Sequence, residues 1–175
     1  EGYLVVNTVA RHVTSLRGDD TPRELPLDHW RDAAAPEGDL VLGHRRLSIL
    51  DLTAHGHQPM TTGDQRIWIV FNGEIYNYVE LREELSRSGE AFHSGTDTEV
   101  VLAAYLQWGA ECLHRFNGMF SLAIWDGTRL FCAKDRLGKK PFFYRCSGTM
   151  FEFASEIKAF DQLEFTTHEL FALLA

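Results

Sequence analysis

The apolar runs along this chain are short and are separated by polar stretches. Tyr3 to Val9 is rich in β-branched residues and reads as a strand buried on both faces. From His12 to Asp39 the pattern decays into charges, three prolines including Pro36, and the alanines Ala33 to Ala35, which predicts a helix turn and a long loop. Order returns at Leu40, where Val41, Leu42, Arg46, Leu47 and Ile49 mark a strand before a polar turn from Thr53 to Thr61. Ile67 to Phe71 is apolar at every position and predicts a strand sandwiched between layers.

Helical spacing follows. Between Tyr78 and Ser88, Leu81 and Leu85 sit four apart among charges, and Gly89 supplies a terminator, which predicts a short amphipathic helix. Thr96-Asp97-Thr98-Glu99 is a threonine cap with a glutamate three residues on, and it opens a helix whose stripe is Val101, Ala104, Tyr105 and Trp108. Two hairpins come next. Met119 to Trp125 and Arg129 to Lys134 turn at Asp126-Gly127, and Pro141 to Cys146 and Met150 to Ala154 turn at Ser147-Gly148. Ser155 to Phe160 and His168 to Ala175 read as helical, and the chain stops inside that last apolar segment, as a cut chain would.

Strands outnumber helices and arrive mainly as hairpins, with the helices grouped in the middle. This order predicts an α+β layered sandwich built on antiparallel sheets. A length of 175 residues suits a single domain, taken as 1–175, with a sizeable core. The composition, 45% hydrophobic and 24% charged, excludes a disordered chain. A net charge of -8 argues against nucleic acid or an anionic membrane as partner, because both are held by clustered Lys and Arg. Cys112, Cys132 and Cys146 show neither zinc spacing nor disulfide density and read as reduced, mostly buried thiols. With no membrane-length apolar run and no basic region at the amino terminus, the expected location is the cytoplasm.

Two stretches carry candidate chemistry. In Gly43-His44-Arg45-Arg46-Leu47-Ser48-Ile49-Leu50-Asp51, alternation sends Arg45 and Arg46 to opposite faces, so one guanidinium points inward. It then needs a carboxylate, supplied either by a bound ligand or by a structural salt bridge. In Phe71-Asn72-Gly73-Glu74-Ile75-Tyr76-Asn77-Tyr78 an apolar strand runs into polar groups. Asn72-Gly73 is open to two readings: a turn, or an oxyanion hole made of a side-chain amide beside an unencumbered backbone N–H. Asp97 by itself reads as a helix-start acid, because the helix dipole favours an acid in the first turn. His55-Gly56-His57 lacks the further ligands of a metal site, and no metal is expected. Lys134-Asp135-Arg136 with Lys139-Lys140 reads as a solvated face or a contact to another domain.

Together, the runs GHRRLSILDL, GHQPM, FNGEIYNY, LREEL, TDTEV, NGMFSLAIWD, KDRLGKKPFFY and FASEIKAF resemble the class II glutamine amidotransferase domain of asparagine synthetases. The resemblance covers Leu42 to Phe160, about two thirds of the chain, in one unbroken order. It implies an amino-terminal-nucleophile fold, a four-layer αββα sandwich. It also implies hydrolysis of L-glutamine to glutamate and ammonia, with the ammonia passed to an ATP-pyrophosphatase-type synthetase domain that uses ATP and magnesium to activate aspartate; no cofactor is implied for this domain itself. Carried over residue by residue, Arg46 holds the substrate α-carboxylate, Glu74 and Asp97 its α-ammonium, Asn72 and the Gly73 N–H the oxyanion, and the backbone of Ile49 and Leu50 lines the pocket. A homodimer is a further possibility.

The chain departs from the family at one end of the expected site. The family's nucleophile is an amino-terminal Cys followed by Gly, and its own α-amine serves as base; here Glu1-Gly2 stands in that place. Leu16-Arg17-Gly18-Asp19-Asp20 replaces the family's His-Arg-Gly-Pro-Asp loop, so the His and Pro are missing. A Ser-Gly-Gly phosphate loop of the synthetase half is absent from the sequence, which places ligase chemistry elsewhere. Three functions therefore compete: a glutaminase supplying ammonia; a catalytically silent scaffold or dimerisation domain, like those of β-lactam-forming synthetases; and a free-standing amino-acid-binding module.

Overall fold

Along β1 (Gly2–Asn7) buried and half-buried positions alternate, which seats Leu4 and Val6 in the core and leaves Tyr3 and Val5 partly covered. The run expected to be buried on both faces is thus one-sided, because its β-branched residues serve the ladder as well as the core. The structure is a computed structural model that describes residues 2–19, 21, 25–32, 37–45, 54–161 and 170–174.

The strands β1, β2 (His12–Arg17), β3 (Asp28–His29), β4 (Leu40–His44), β9 (Phe143–Ser147), β10 (Met150–Ala154) and β11 (Leu170–Leu174) form one sheet, in the order β3-β2-β1-β4-β11-β10-β9. A second sheet contains β5 (Met60–Thr61), β6 (Trp68–Ile75), β7 (Gly118–Trp125) and β8 (Leu130–Lys134), in that order. Between the sheets lies a core of Leu4, Val6, Leu40, Leu42, Trp68, Val70, Ala123, Trp125 and Phe153. Fully burying such side chains contributes about 1.5–3 kcal/mol each.

The helices α1 (Tyr78–Arg87) and α2 (Asp97–Trp108) cover the other face of the four-stranded sheet. Leu81 and Leu85 are the buried residues of α1, as their spacing predicts. Beyond its predicted stripe, α2 is buried continuously from Val100 to Tyr105, because it lies between α1 and β6. Thr96 caps it, its hydroxyl accepting the Glu99 N–H at 3.2 Å. The Glu99 carboxylate turns instead to the loop before the helix and accepts the N–H groups of His93 and Ser94, each at 2.8 Å. The described residues thus build an α+β sandwich of one helical layer on two facing sheets.

Three sequence expectations change. Within the segment read as helix turn and loop, His12–Arg17 pairs antiparallel with the whole of β1 and buries Leu16. The end of the chain, read as helical, supplies β11, which runs parallel to both β4 and β10; with the parallel pair β2–β3 it makes the larger sheet mixed rather than antiparallel. A five-residue apolar run has no periodicity of its own, and the gap between β4 and β10 decides its state. Finally, Ile157–Asp161 is a single 3-10 turn.

Both predicted hairpins form. The first closes through four residues, not two: Trp125 pairs with Leu130, and the Asp126 carboxylate accepts the N–H groups of Thr128 and Arg129 at 3.0 and 2.9 Å. Ser147 pairs with Met150 across the second.

Candidate functional site

Asn72-Gly73 is not a turn. Strand β6 continues through both residues to Ile75 and pairs with β7 along its whole length, from Trp68 opposite Trp125 to Ile75 opposite Gly118. Side-chain alternation places Ile69, Phe71 and Ile75 in the core under the helices, and Trp68 and Val70 in the core between the sheets. Asn72 and Glu74 therefore fall on the inter-sheet face. In keeping with this, the Asn72 amide Nδ2 donates to Ser155 Oγ at 3.2 Å, just past the end of β10 in the opposite sheet.

Gly73 has no room for a side chain. A Cβ there would stand 2.4 Å from the Met119 carbonyl oxygen and 2.6 Å from Phe120 Cα, both in the backbone of β7.

The other edge of β6 is covered by β5 only at Trp68 and Ile69. Past that point its outward N–H groups belong to Phe71, Gly73 and Ile75, because backbone direction alternates along an antiparallel strand. Phe71 N–H donates to Gln58 Oε1 at 2.6 Å, and Ile75 N–H donates to Asp97 Oδ2 at 3.0 Å. Between them, the Gly73 N–H has no acceptor among the described residues.

Asp97 is the first residue of α2 and only 6% exposed. Burial pushes its carboxyl above the ordinary carboxylate value; the N–H groups of Ile75, Thr98 and Asp97 itself pull the other way, and the negative charge of Glu74 pushes it up further. The negative charge of Glu74 thus reaches Asp97 beside the open stretch of β6. Asp97 starts the helix, as its position in the capping sequence suggests, and also accepts the Ile75 N–H of the strand.

The start of β1 comes to the same corner. Gly2 pairs with Arg17 on one side and His44 on the other. His44 Nε2 donates to the Phe71 carbonyl at 3.0 Å, which links the end of β4 to β6. The loop after β2, altered from the family pattern, borders Gly2 as the resemblance implies. Arg17 Nε donates to the Leu27 carbonyl at 3.1 Å, and Asp19 pairs with His29 at 3.0 Å and Arg31 at 2.9 Å.

Arg46, Ile49, Leu50 and Glu1 lie outside the described residues. The structure thus brings together Asn72, Gly73, Glu74 and Asp97, and adds three residues that the sequence reading did not single out: His44, Gln58 and Ser155. Each stood in a quoted motif among other polar residues, and nothing in its immediate neighbours set it apart. Of the thiols, Cys112 is buried, Cys132 partly covered and Cys146 exposed, and burial pushes Cys112 and Cys132 up to about 12. Thiols of that kind are poor nucleophiles at neutral pH.

The family described as "Glutamine amidotransferase domain" matches residues 28–171. Among curated proteins, asparagine synthetase [glutamine-hydrolyzing] 3 of Bacillus subtilis is 46% identical over 127 residues, 70% of this chain and 20% of that protein. A putative asparagine synthetase [glutamine-hydrolyzing] of Mycobacterium tuberculosis is 41% identical over 167 residues, 90% of this chain and 25% of that protein. The chain thus spans 20–25% of the length of these relatives. Among solved structures, glutamine phosphoribosylpyrophosphate amidotransferase from B. subtilis superposes with a TM-score of 0.67 at 18% identity, over 85% of this chain and 33% of that one. At that identity the likeness shows the fold, an amino-terminal-nucleophile sandwich. With most of its length matched in sequence and its fold matched in space, the chain belongs to the glutamine amidotransferase domain family.

Proposed function

We propose that this domain binds L-glutamine and releases ammonia from its side-chain amide, supplying an ATP-dependent synthetase portion that amidates aspartate. The observation that carries the reading is the edge of β6, where the Gly73 N–H stands open between two occupied N–H groups, beside the Asn72 amide. Two adjacent donors of this kind suit the oxygen of a tetrahedral intermediate, and one such donor is worth about 10²–10³ in rate. Asp97 and Glu74 suit the α-ammonium of a free amino acid, and Arg46 its α-carboxylate, with the backbone of Ile49 and Leu50 completing the pocket. The relatives named as glutamine-hydrolysing synthetases support the same reading. ATP and magnesium belong to the synthetase portion, and no residue of this domain is assigned to them. The free cysteines suit a reducing compartment such as the cytoplasm.

The reaction requires a nucleophile at position 1. A thiol there, its proton taken by the α-amine of the same residue, attacks the amide carbon of glutamine. The carbonyl oxygen gains negative charge opposite Gly73 N–H and Asn72 Nδ2. The carbon–nitrogen bond then breaks, ammonia leaves with the transferred proton, and water hydrolyses the thioester to glutamate. Glu1 offers a carboxylate in this place, a weak nucleophile towards an amide.

The test is glutamate release by the chain carrying Glu1→Cys with a free amino terminus, beside glutamine binding to that chain and to the original by calorimetry. Binding by both, with turnover by the variant alone, is the expected result. Absence of binding in both overturns the glutamine reading.

A further inference from the structure

Gln58 does for β6 what a neighbouring strand would do. Its side chain, 4% exposed, accepts the Phe71 N–H on Oε1 at 2.6 Å and donates from Nε2 to the Phe71 carbonyl at 3.1 Å. These are the two bonds of a hydrogen-bonded antiparallel pair, made by one amide side chain. Nε2 also lies 3.4 Å from Thr98 Oγ1, next to Asp97 on α2. At the other end, the main-chain oxygen of Gln58 would stand 2.1 Å from a Cβ placed on Gly2. A single residue therefore touches β1 one position after residue 1, β6 two positions before Gly73, and α2 one position after Asp97.

Chemistry explains the residue type. A primary amide offers an acceptor and a donor in one plane without a change of protonation, and glutamine has one methylene more reach than asparagine. Glutamate loses the donor and sets a negative charge against the Phe71 carbonyl. Leucine leaves the Phe71 N–H buried and unmatched and the carbonyl with the His44 bond alone.

We propose that Gln58 is a positioning residue for the amide hydrolysis: it holds the open edge of β6, and with it the Gly73 N–H, in register with Gly2 at the start of β1. The proposal rests on the glutaminase reading above. Gln58 acts through Phe71 and Gly2, so it orients the oxyanion donor relative to the nucleophile without touching glutamine. A glutamine that merely satisfies its own polar atoms in the core would affect stability and leave the partition between binding and turnover unchanged.

Two measurements test this. The first needs no turnover: backbone amide exchange in the original chain and in Gln58→Leu and Gln58→Glu. The expected result is that exchange at Phe71 in Gln58→Leu rises by about tenfold or more while that of Trp125, at the far end of the same ladder, stays within twofold. Equal change at both positions reports global loosening and overturns the proposal, as does no change at either. The second measurement uses chains carrying Glu1→Cys. Gln58→Leu should lower kcat by about 10–100-fold, less than outright loss of a donor, with the Kd for glutamine within threefold. In Gln58→Glu, the ratio of variant to parent kcat should rise as pH falls, because the protonated carboxyl regains a donor for the Phe71 carbonyl. A kcat within twofold of the parent, or a Kd weakened in step with kcat, overturns the role. If the Glu1→Cys parent releases no glutamate, the glutaminase reading falls, and the exchange rates alone decide whether Gln58 holds the edge.

Discussion

Asp97 Oδ2 accepts the N–H of Ile75 at 3.0 Å, so the first residue of a helix closes the hydrogen-bonding edge of a strand 22 positions earlier. That contact keeps the carboxylate beside Glu74, where burial holds its pKa above the ordinary 3.8. For an acid of raised pKa, folding favours the protonated form. Its contribution to stability is full below the unfolded value and is lost as pH rises through the raised value. Asp97→Asn retains an acceptor for Ile75 and removes that decline. The variant should therefore gain stability relative to the parent as pH rises from about 4 to neutrality, checked by urea unfolding across that range. If an α-ammonium binds there, glutamine affinity should increase over the same rise in pH in the parent, and Asp97→Asn should weaken it at neutral pH by about 10–100-fold, in line with about 1.5–3 kcal/mol for a hydrogen bond to a charged group.

Gly73→Ala should be among the most damaging single-atom additions in the domain. The new Cβ meets backbone, which cannot swing aside as a flexible side chain can. Separating β6 from β7 to admit it should cost about 1–3 kcal/mol or more. A thermal melt reads the loss, and a Tm within a degree of the parent would contradict the close approach.

Arg145 and Glu152 face each other across β9 and β10, with Nε to Oε2 at 2.6 Å and Nη2 to Oε1 at 2.9 Å. The Glu152 side chain is 1% exposed and the Arg145 side chain 44%. Arg145→Met leaves a buried carboxylate without its fork and should cost about 3–5 kcal/mol, whereas Arg145→Met with Glu152→Leu should recover most of that. Chemical denaturation of the two variants at neutral pH distinguishes a desolvated pair from a surface one.

Asp135 gathers four backbone N–H groups, those of Phe120, Leu137, Lys139 and Lys140, at 2.9–3.1 Å. Burial alone would raise its pKa, but these donors together hold it below the usual carboxylate range. A lowered acid contributes stability that is present above its unfolded pKa and lost as pH falls through the folded one. Asp135→Asn should then cost about 2 kcal/mol at pH 7, and the gap to the parent should narrow below about pH 4. Unfolding midpoints at the two pH values give the comparison.

The stretch around Asp135 shows where sequence reading stops. Lys134-Asp135-Arg136 suggested a solvated face, since charge alone carries no direction. Only the turn after β8 brings the backbone N–H groups of Leu137, Lys139 and Lys140 back onto one carboxylate. Asn72-Gly73 is the opposite case. The pair was open to a turn or a donor site, and the ladder with β7 decided for strand because Gly118, Met119 and Phe120 continue the pairing past it. His12–Arg17, with only Val13 and Leu16 apolar, and the apolar run Leu170–Leu174 both lack a period of their own, and each takes its strand state from the strands beside it, β1 for the first and β4 and β10 for the second.

By itself, the sequence determined the layered α+β class, both hairpins, the threonine cap of α2, the buried face of α1, and the family, because periodicity, turn chemistry and motif order are local properties of the chain. Tertiary structure alone decided that Phe71, Gly73 and Ile75 share one open edge, that Gln58 and Asp97 occupy the flanking positions, and that Gly2 arrives at the same corner. Those are relations between backbone groups of segments far apart in sequence. The direction of an N–H is set by the pairing of its strand, and no side-chain pattern records it.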